Sequence, residues 1–147
     1  MKAREVEGLD PAAPLRPNAE RIVRTRLEEL RSLAPIALEP SAATAQHDMR
    51  IAAKRLRYVL EITGPCLGPE AKATRDAAKR LQGVLGEIHD CDVMLARGEG
   101  IESLCTLLRT RRELLFRQFS DLWQVVSPTL HTFSLHRGES GGDLIDR

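Results

Sequence analysis

The stretch HDMRIAAKRLRYVLEITG, residues 47–64, decides the fold class, because its polar and apolar residues recur with the period of an α-helix. Four basic side chains follow spacings of three, four and three residues, which places them on one side of a helix. They are His47, Arg50, Lys54 and Arg57. The opposite side carries the apolar residues Met49, Ala52, Leu56, Val59 and Leu60. The stretch therefore predicts an amphipathic helix with a ladder of cations opposite its apolar face.

A second ladder of cations follows in the next segment, where Lys72, Arg75 and Lys79 repeat the same spacing. Two such ladders on neighbouring antiparallel helices, with axes about 8–10 Å apart, would form one cationic surface. The net charge of the chain is only +1. Any affinity for a polyanion therefore depends on this sorting of charge and not on the overall charge of the protein.

Prolines and glycines divide the chain into four helical segments, because proline is poorly tolerated inside helices. The joints are predicted at Pro35 and Pro40, at Pro65 and Pro69, and at the GEG of residues 98–100. Asn18 is the predicted N-cap of the first helix. Segments with the alternation of a β-strand are absent from the sequence. The predicted fold is all-α, an antiparallel four-helix bundle whose helices cover about residues 18–34, 41–64, 69–97 and 101–126.

Length and composition indicate one helical domain in a chain of 147 residues. We expect an N-terminal extension over residues 1–17, the helical domain over 18–127 and a disordered tail over 128–147, where Gly and Ser become frequent. No stretch reaches the roughly 18 apolar residues of a membrane span. The sequence also lacks the apolar region of a signal peptide near its start. These features predict a cytoplasmic protein with no membrane partner.

The spread of the cations favours an extended polyanion over a single phosphate. A single phosphate site would need a Gly-rich loop or converging backbone N–H groups, and neither the P-loop nor the G-x-G-x-x-G motif occurs. Spaced arginines and lysines suit a chain of anions, since arginine can bind phosphate oxygens with two hydrogen bonds. No cofactor and no resident metal is predicted.

Two stretches together resemble the paired signatures of the CHAD family, the conserved histidine α-helical domain. They are HDMRIAAKRLRYVLE at residues 47–61 and LQGVLGEIHDCDVM at 81–94, and the likeness extends over about residues 6–126. The resemblance implies an all-helical domain that binds inorganic polyphosphate through its basic faces. It also implies that the protein can gather at polyphosphate granules in the cytoplasm.

The resemblance adds one residue to the predicted site. The family motif H-x-x-R-x-x-x-K-R-x-R falls on His47, Arg50, Lys54, Arg55 and Arg57. Helix phase places Arg55 away from the ladder, nearer its edge, so that Arg55 is included by resemblance. Lys72, Arg75 and Lys79 are included mainly because of the repeated spacing.

The chain carries each signature once. Larger family members have two four-helix halves, with basic faces turned towards a central cavity, so the resemblance implies that this chain is one half of that arrangement. Either the single cationic surface is open and binds polyphosphate weakly, or two chains pair to rebuild the cavity. A homodimer is our hypothesis.

Two other functions compete with polyphosphate binding. The first is a nucleic-acid-binding helical module, because the ladders do not distinguish one phosphate polymer from another. The near-zero net charge and the scarcity of aromatic residues make nucleic acid an unlikely partner. The second is a metal-dependent phosphohydrolase of the HD type, suggested by His47-Asp48 and His89-Asp90. Asp48 is turned about 100° from His47 on a helix, and no catalytic constellation is recognisable. We therefore expect that the protein is not an enzyme.

Overall fold

The computed structural model describes residues 1–133, and within that range the chain forms four α-helices and no β-strand. The helices are α1 (Leu15–Ala37), α2 (Ala43–Leu67), α3 (Glu70–Arg97) and α4 (Glu102–His131). Each helix packs mainly against the next one along the chain. The predicted all-α class and helical bundle are confirmed.

The apolar faces predicted from the sequence meet in one core. Met49, Leu56 and Leu60 of α2 and Leu81 and Leu85 of α3 are almost completely buried. Burial of one such side chain contributes about 1.5–3 kcal/mol relative to leaving it exposed. The apolar sides of α2 and α3 therefore face the core, and the opposite sides of both helices, which carry the predicted ladders, face away from it.

The helix ends differ from the prediction because three helices continue past a proline near their C-terminal ends. α1 continues through Pro35, α2 through Pro65 and α4 through Pro128. A proline near a helix end disturbs few backbone hydrogen bonds, and in each case a buried apolar residue lies two positions later. These residues are Ala37, Leu67 and Leu130. Their burial in the core favours the continuation of each helix past its proline. The predicted tail begins at residue 128, whereas α4 includes residues 128–131; residues 134–147 lie outside the described range.

The start of α1 also differs from the prediction. α1 begins at Leu15, so Asn18 lies inside the helix, and the prediction that it is the N-cap is wrong. Its side-chain amide donates a hydrogen bond of 2.6 Å to the backbone carbonyl of Asp10, and its Oδ1 accepts one of 3.0 Å from the Asp10 backbone N–H. Asn18 thus ties the preceding segment to α1.

Arg112 connects α4 to the other helices. Its guanidinium donates to the carboxylate of Asp92 on α3, to Oε1 of Gln46 on α2 at 2.7 Å and to the carbonyl of Pro40 at 2.9 Å. Gln46 is buried and donates in turn to the carbonyl of Ala37 at 3.1 Å. This network holds α4 against the end of the bundle where α1 passes into α2. Within residues 1–133, the helices lack the combined length and apolarity that a membrane span requires.

Candidate functional site

The two ladders lie side by side on α2 and α3. The rings of His47 and His89 are stacked, with centroids 4.2 Å apart and an interplanar angle of 28°. One turn further along α2, Nε of Arg50 lies 3.7 Å from the position that a Cβ atom on Gly86 would take. Moving three residues forward on α2, from His47 to Arg50, therefore corresponds to moving three residues back on α3, from His89 to Gly86. The two helices run antiparallel.

The same register places Lys54 level with Gln82 and Arg57 level with Lys79, since both helices rise equally per residue. The two predicted ladders therefore form one surface. We call it the cationic panel and define it by His47, Arg50, Lys54, Arg57, Lys72, Arg75, Lys79 and His89.

Four cations of the panel have no anionic partner in the described part of the chain. Arg50, Lys54, Lys72 and Lys79 make no hydrogen bond and no ion pair with any of residues 1–133. The Lys54 ammonium lies 5.6 Å from the ring centroid of Tyr58, so an aromatic face is beside it in place of a carboxylate. Neighbouring like charges raise the energy of a folded protein unless an anion neutralises them. The panel therefore has unused capacity for an anion.

Two further panel arginines have only weak partners. Arg57 lies 3.3 Å from a carboxylate oxygen of Glu61, and Arg75 lies 3.3 Å from one of Asp76. Glu61 and Asp76 are exposed to solvent. Ion pairs of this kind contribute about 0–1 kcal/mol, so both arginines can exchange their carboxylate for another anion at little cost.

Gly86 leaves room beside Arg50 because it has no side chain. His89 completes this end of the panel by stacking on His47. His89 is absent from the residues predicted as the site, although the spacing of the second ladder continues through Gly86 to His89. That continuation is the signal that could have identified it.

His47 is held towards its neutral form. Burial lowers its pKa below the ordinary value of 6.5, and the neighbouring His89 and Arg50 lower it further, against the opposite effect of Asp48. Its Nδ1 atom is buried and has no hydrogen-bond partner among residues 1–133. An anion beside this ring would favour the protonated form.

Arg55 does not lie with the panel. Its guanidinium is 3.2 Å from Oε1 of Glu29 on α1, and it also donates to the carbonyl of Met1 at 2.7 Å. Glu29 is only 3% exposed and accepts further hydrogen bonds from Arg26 at 2.8 Å and from the backbone N–H of Arg4 at 3.2 Å. We call this group, Glu29 with Arg26, Arg55 and the backbone of Arg4, the Glu29 cluster. The structure thus places seven of the eight predicted residues on the panel and the eighth, Arg55, in the Glu29 cluster.

Metal-ligating side chains do not converge in the described part of the chain. Residues 1–133 contain no group of three or more His, Cys, Asp or Glu side chains placed to hold a metal ion. Asp92, close in sequence to His89, binds Arg112 instead.

A family model for the CHAD domain matches residues 2–99. The chain belongs to the CHAD family. The resemblance seen in the two signature stretches is thereby confirmed. The matched residues contain α1, α2 and α3, and with them the whole cationic panel, whereas α4 of this CHAD chain begins beyond the match. Neither the curated proteins nor the solved structures contain a match to the sequence.

Proposed function

We propose that this CHAD chain binds inorganic polyphosphate through the cationic panel, without catalysing a reaction. The observation that carries the proposal is the set of four panel cations with no anionic partner among residues 1–133, aligned on two antiparallel helices. The ladder from residue 47 to residue 57 is about 15 Å long at 1.5 Å per residue. A ligand with anions repeated along its length can contact several of these cations at once.

The panel residues differ in what they offer to phosphate. Arg50, beside the space at Gly86, can donate two hydrogen bonds to non-bridging oxygens of one phosphate. Lys54, Lys72 and Lys79 act as mobile point charges. Arg57 and Arg75 exchange an exposed carboxylate for phosphate, because their present ion pairs are weak.

Arg55 takes a different place in the proposal. Because it binds Glu29 of α1, Arg55 anchors α2 to α1 and is not part of the surface that contacts polyphosphate in this proposal. From the family resemblance, we also propose that the protein is located in the cytoplasm, at polyphosphate granules.

Nucleic acid is the second candidate ligand, since a row of cations attracts any phosphate polymer. Proteins that bind single strands combine such a row with aromatic rings on which bases stack. The aromatic ring beside the panel is that of Tyr58, and the Arg57 guanidinium already covers it at 4.7 Å from its centroid, with Lys54 also nearby. This arrangement favours polyphosphate over nucleic acid.

The test is a titration of fluorescently labelled long-chain polyphosphate at several salt concentrations, with single- and double-stranded DNA as competitors. We expect binding that weakens steeply with salt and that DNA displaces poorly. Replacing Arg50→Ala together with Lys54→Ala should weaken binding by about tenfold or more, which corresponds to about 1.4 kcal/mol. Phosphate release from unlabelled polyphosphate is measured in parallel and should stay at the level of the protein-free control.

The matched control removes the same charge elsewhere, through Arg97→Ala together with Arg109→Ala. Both residues are exposed and lie outside the panel. An equal loss of affinity in the two double variants would show that only net charge matters. Absence of binding at low salt contradicts the proposal, and equal competition by DNA would favour the second candidate.

A further inference from the structure

The register of α2 against α3 is fixed at both ends of the cationic panel. At one end it follows from the stacked histidines and from Arg50 beside Gly86. At the other end, the position that a Cβ atom on Gly64 would take lies 4.0 Å from Cβ of Ala71, the residue before Lys72. These contacts give the same antiparallel register to within one residue. Because both helices rise equally per residue, the register shows which residues of α2 and α3 lie at the same level.

In the half of the panel near the stacked histidines, the cations come from α2. Arg50 is level with Gly86 of α3, and Lys54 is level with Gln82. Neither of these two α3 residues carries a charge. An anion in this half of the panel therefore meets lysine and arginine on α2 only.

In the other half, the cations come from α3. Arg57 is level with Lys79, and beyond that level α3 continues with Arg75 and Lys72. At the level of Arg75, α2 carries Glu61, whose carboxylate lies 3.3 Å from Nε of Arg57. The ladder of α2 thus changes from cations to an anion at the point where the ladder of α3 begins. We call the cations of the two halves the cation row, and in spatial order they are Arg50, Lys54, Arg57, Lys79, Arg75 and Lys72.

We propose that one polyphosphate chain follows the cation row and crosses from α2 to α3 at the level of Arg57 and Lys79. The inference rests on the proposed function and adds to it a requirement for chain length. The Glu61 carboxylate repels phosphate from the continuation of α2, whereas the cations of α3 attract it. From the level of Arg50 to that of Lys72, the row is about 21 Å long at 1.5 Å per residue. A polyphosphate of that length contacts the whole row, and a shorter one contacts only part of it.

Both ends of the cation row are available to phosphate. Arg50 and Lys72 make no hydrogen bond and no ion pair with any of residues 1–133. A glycine of the other helix lies level with each of them, Gly86 with Arg50 and Gly64 with Lys72. Because glycine has no side chain, neither position places a side-chain atom next to the terminal cation.

The first measurement is the affinity for polyphosphates of increasing length, from tripolyphosphate to long chains, at several salt concentrations. The slope of log affinity against log salt reports the number of phosphates that the protein contacts. We expect this slope to increase with chain length until the ligand spans the row. A slope that is already maximal with tripolyphosphate overturns the proposal.

Lys72→Ala tests the end of the row on α3. With long-chain polyphosphate it should reduce the salt slope by about one. With tripolyphosphate it should change neither slope nor affinity, because a short ligand binds where the cations of both helices meet. Lys79→Ala, at that meeting point, should weaken the binding of both ligands.

Arg109→Ala is the control for charge, because Arg109 is an exposed residue of α4 outside the panel. It should leave the slope unchanged with both ligands. Equal losses in Lys72→Ala with the short and the long ligand, or no loss with the long one, overturn the proposal.

Reversing the charge of Glu61 tests the crossing. Glu61→Lys continues the ladder of α2 with a cation and gives the polyphosphate a second route along α2. In this background, Lys72→Ala should weaken long-chain binding less than it does in the unchanged chain. Glu87→Lys is the matched control, since Glu87 is an exposed glutamate of α3 that pairs with Arg111, at 3.1 Å, outside the panel.

In the Glu87→Lys background, Lys72→Ala should keep its full effect, and circular dichroism checks that every variant remains helical. The same effect of Lys72→Ala in both backgrounds overturns the crossing. If Arg50→Ala with Lys54→Ala weakens long-chain binding but Lys72→Ala does not, this inference fails and the proposed function stands. Absence of polyphosphate binding contradicts both.

Discussion

The Glu29 cluster and the cationic panel both include basic residues of α2, and they differ in whether the chain itself supplies a carboxylate partner. Lys54 and Arg55 are adjacent in sequence, but Arg55 points to the Glu29 cluster, where two guanidiniums share a carboxylate that is 3% exposed. Lys54 belongs to the cationic panel, where four cations have no carboxylate partner among residues 1–133. The comparison indicates that a cation with a buried internal counter-ion stabilises the fold, whereas the four unpaired cations gain no such stabilisation from residues 1–133 and remain free to meet an anion from outside the chain.

The largest effect is expected from removing the internal counter-ion. Glu29→Ala leaves Arg26 and Arg55, both partly buried, without their carboxylate. Breaking a buried ion pair by removing one partner is strongly destabilising, and here the guanidiniums can still turn towards water. We expect the free energy of unfolding, measured with urea, to fall by about 2–3 kcal/mol.

The neighbouring Glu28→Ala is the control, because Glu28 is exposed on the same helix. It should change the free energy of unfolding by less than about 0.5 kcal/mol. Folded Glu29→Ala should still bind polyphosphate as the unchanged chain does. Equal destabilisation by the two variants would remove the distinction between the Glu29 cluster and the panel.

The second effect comes from giving the panel a counter-ion of its own. Gly86→Glu places a carboxylate beside Arg50. The new Cβ atom would lie 3.7 Å from Nε of Arg50, which is an ordinary van der Waals distance. Polyphosphate affinity should fall by about tenfold, because one cation is neutralised and an anion is added to the surface. The free energy of unfolding should rise by about 0.5–1 kcal/mol, since glycine is unfavourable inside a helix.

Gly83→Glu is the matched change, because Gly83 lies on the same helix with nothing within 4 Å of its Cβ position. It alters net charge and helix propensity in the same way as Gly86→Glu, but it lies four residues from Lys79, so its carboxylate is placed beside a panel lysine and not beside Arg50. Titration of both variants with labelled polyphosphate makes the comparison. If they lose affinity equally, the position of Arg50 has no special importance.

The smallest effect concerns His47 and pH. The pKa of His47 is lowered in the folded chain, by burial first and then by His89 and Arg50, with Asp48 opposing. The unfolded chain therefore takes up the proton more readily, and the free energy of unfolding should fall as the pH drops through 6.5 and level off below the folded pKa. Under the proposed function, bound polyphosphate favours the protonated ring, and the affinity for polyphosphate should therefore increase as the pH falls.

Urea unfolding and polyphosphate titration at a series of pH values test both statements. His47→Gln should flatten both profiles, because glutamine does not titrate in this range. A polyphosphate affinity with the same pH dependence in this variant would mean that the proton is taken up elsewhere.

The helices and their apolar faces could be predicted from the sequence because helical periodicity is a local property. Met49, Leu56 and Leu60 fall on the buried side of α2 as their spacing indicates. The ends of α1, α2 and α4 could not be predicted in the same way. Whether a helix continues past Pro35 or Pro65 depends on the burial of the residues that follow, and that burial is set by other helices.

The candidate site, like the fold, could be predicted where it depends on the spacing of residues within one helix and not where it depends on contacts between helices. The spacing of Arg50 and Lys54 is enough to place them on one side of α2. The stacking of His47 on His89 depends on the register of α2 against α3, which no local pattern contains. The contact between Arg55 and Glu29 joins residues 26 positions apart, so its structural role also becomes visible only after folding.

The most direct test of the difference between the two clusters is the salt dependence of polyphosphate affinity in Lys54→Ala and Arg55→Ala. The two variants remove one positive charge each from adjacent positions of the same helix. We predict that Lys54→Ala reduces the slope of log affinity against log salt by about one and leaves stability unchanged. Arg55→Ala should leave that slope unchanged and lower the free energy of unfolding by about 1–2 kcal/mol. If both variants reduce the slope equally, or if neither does, the assignment of polyphosphate binding to the cationic panel is contradicted.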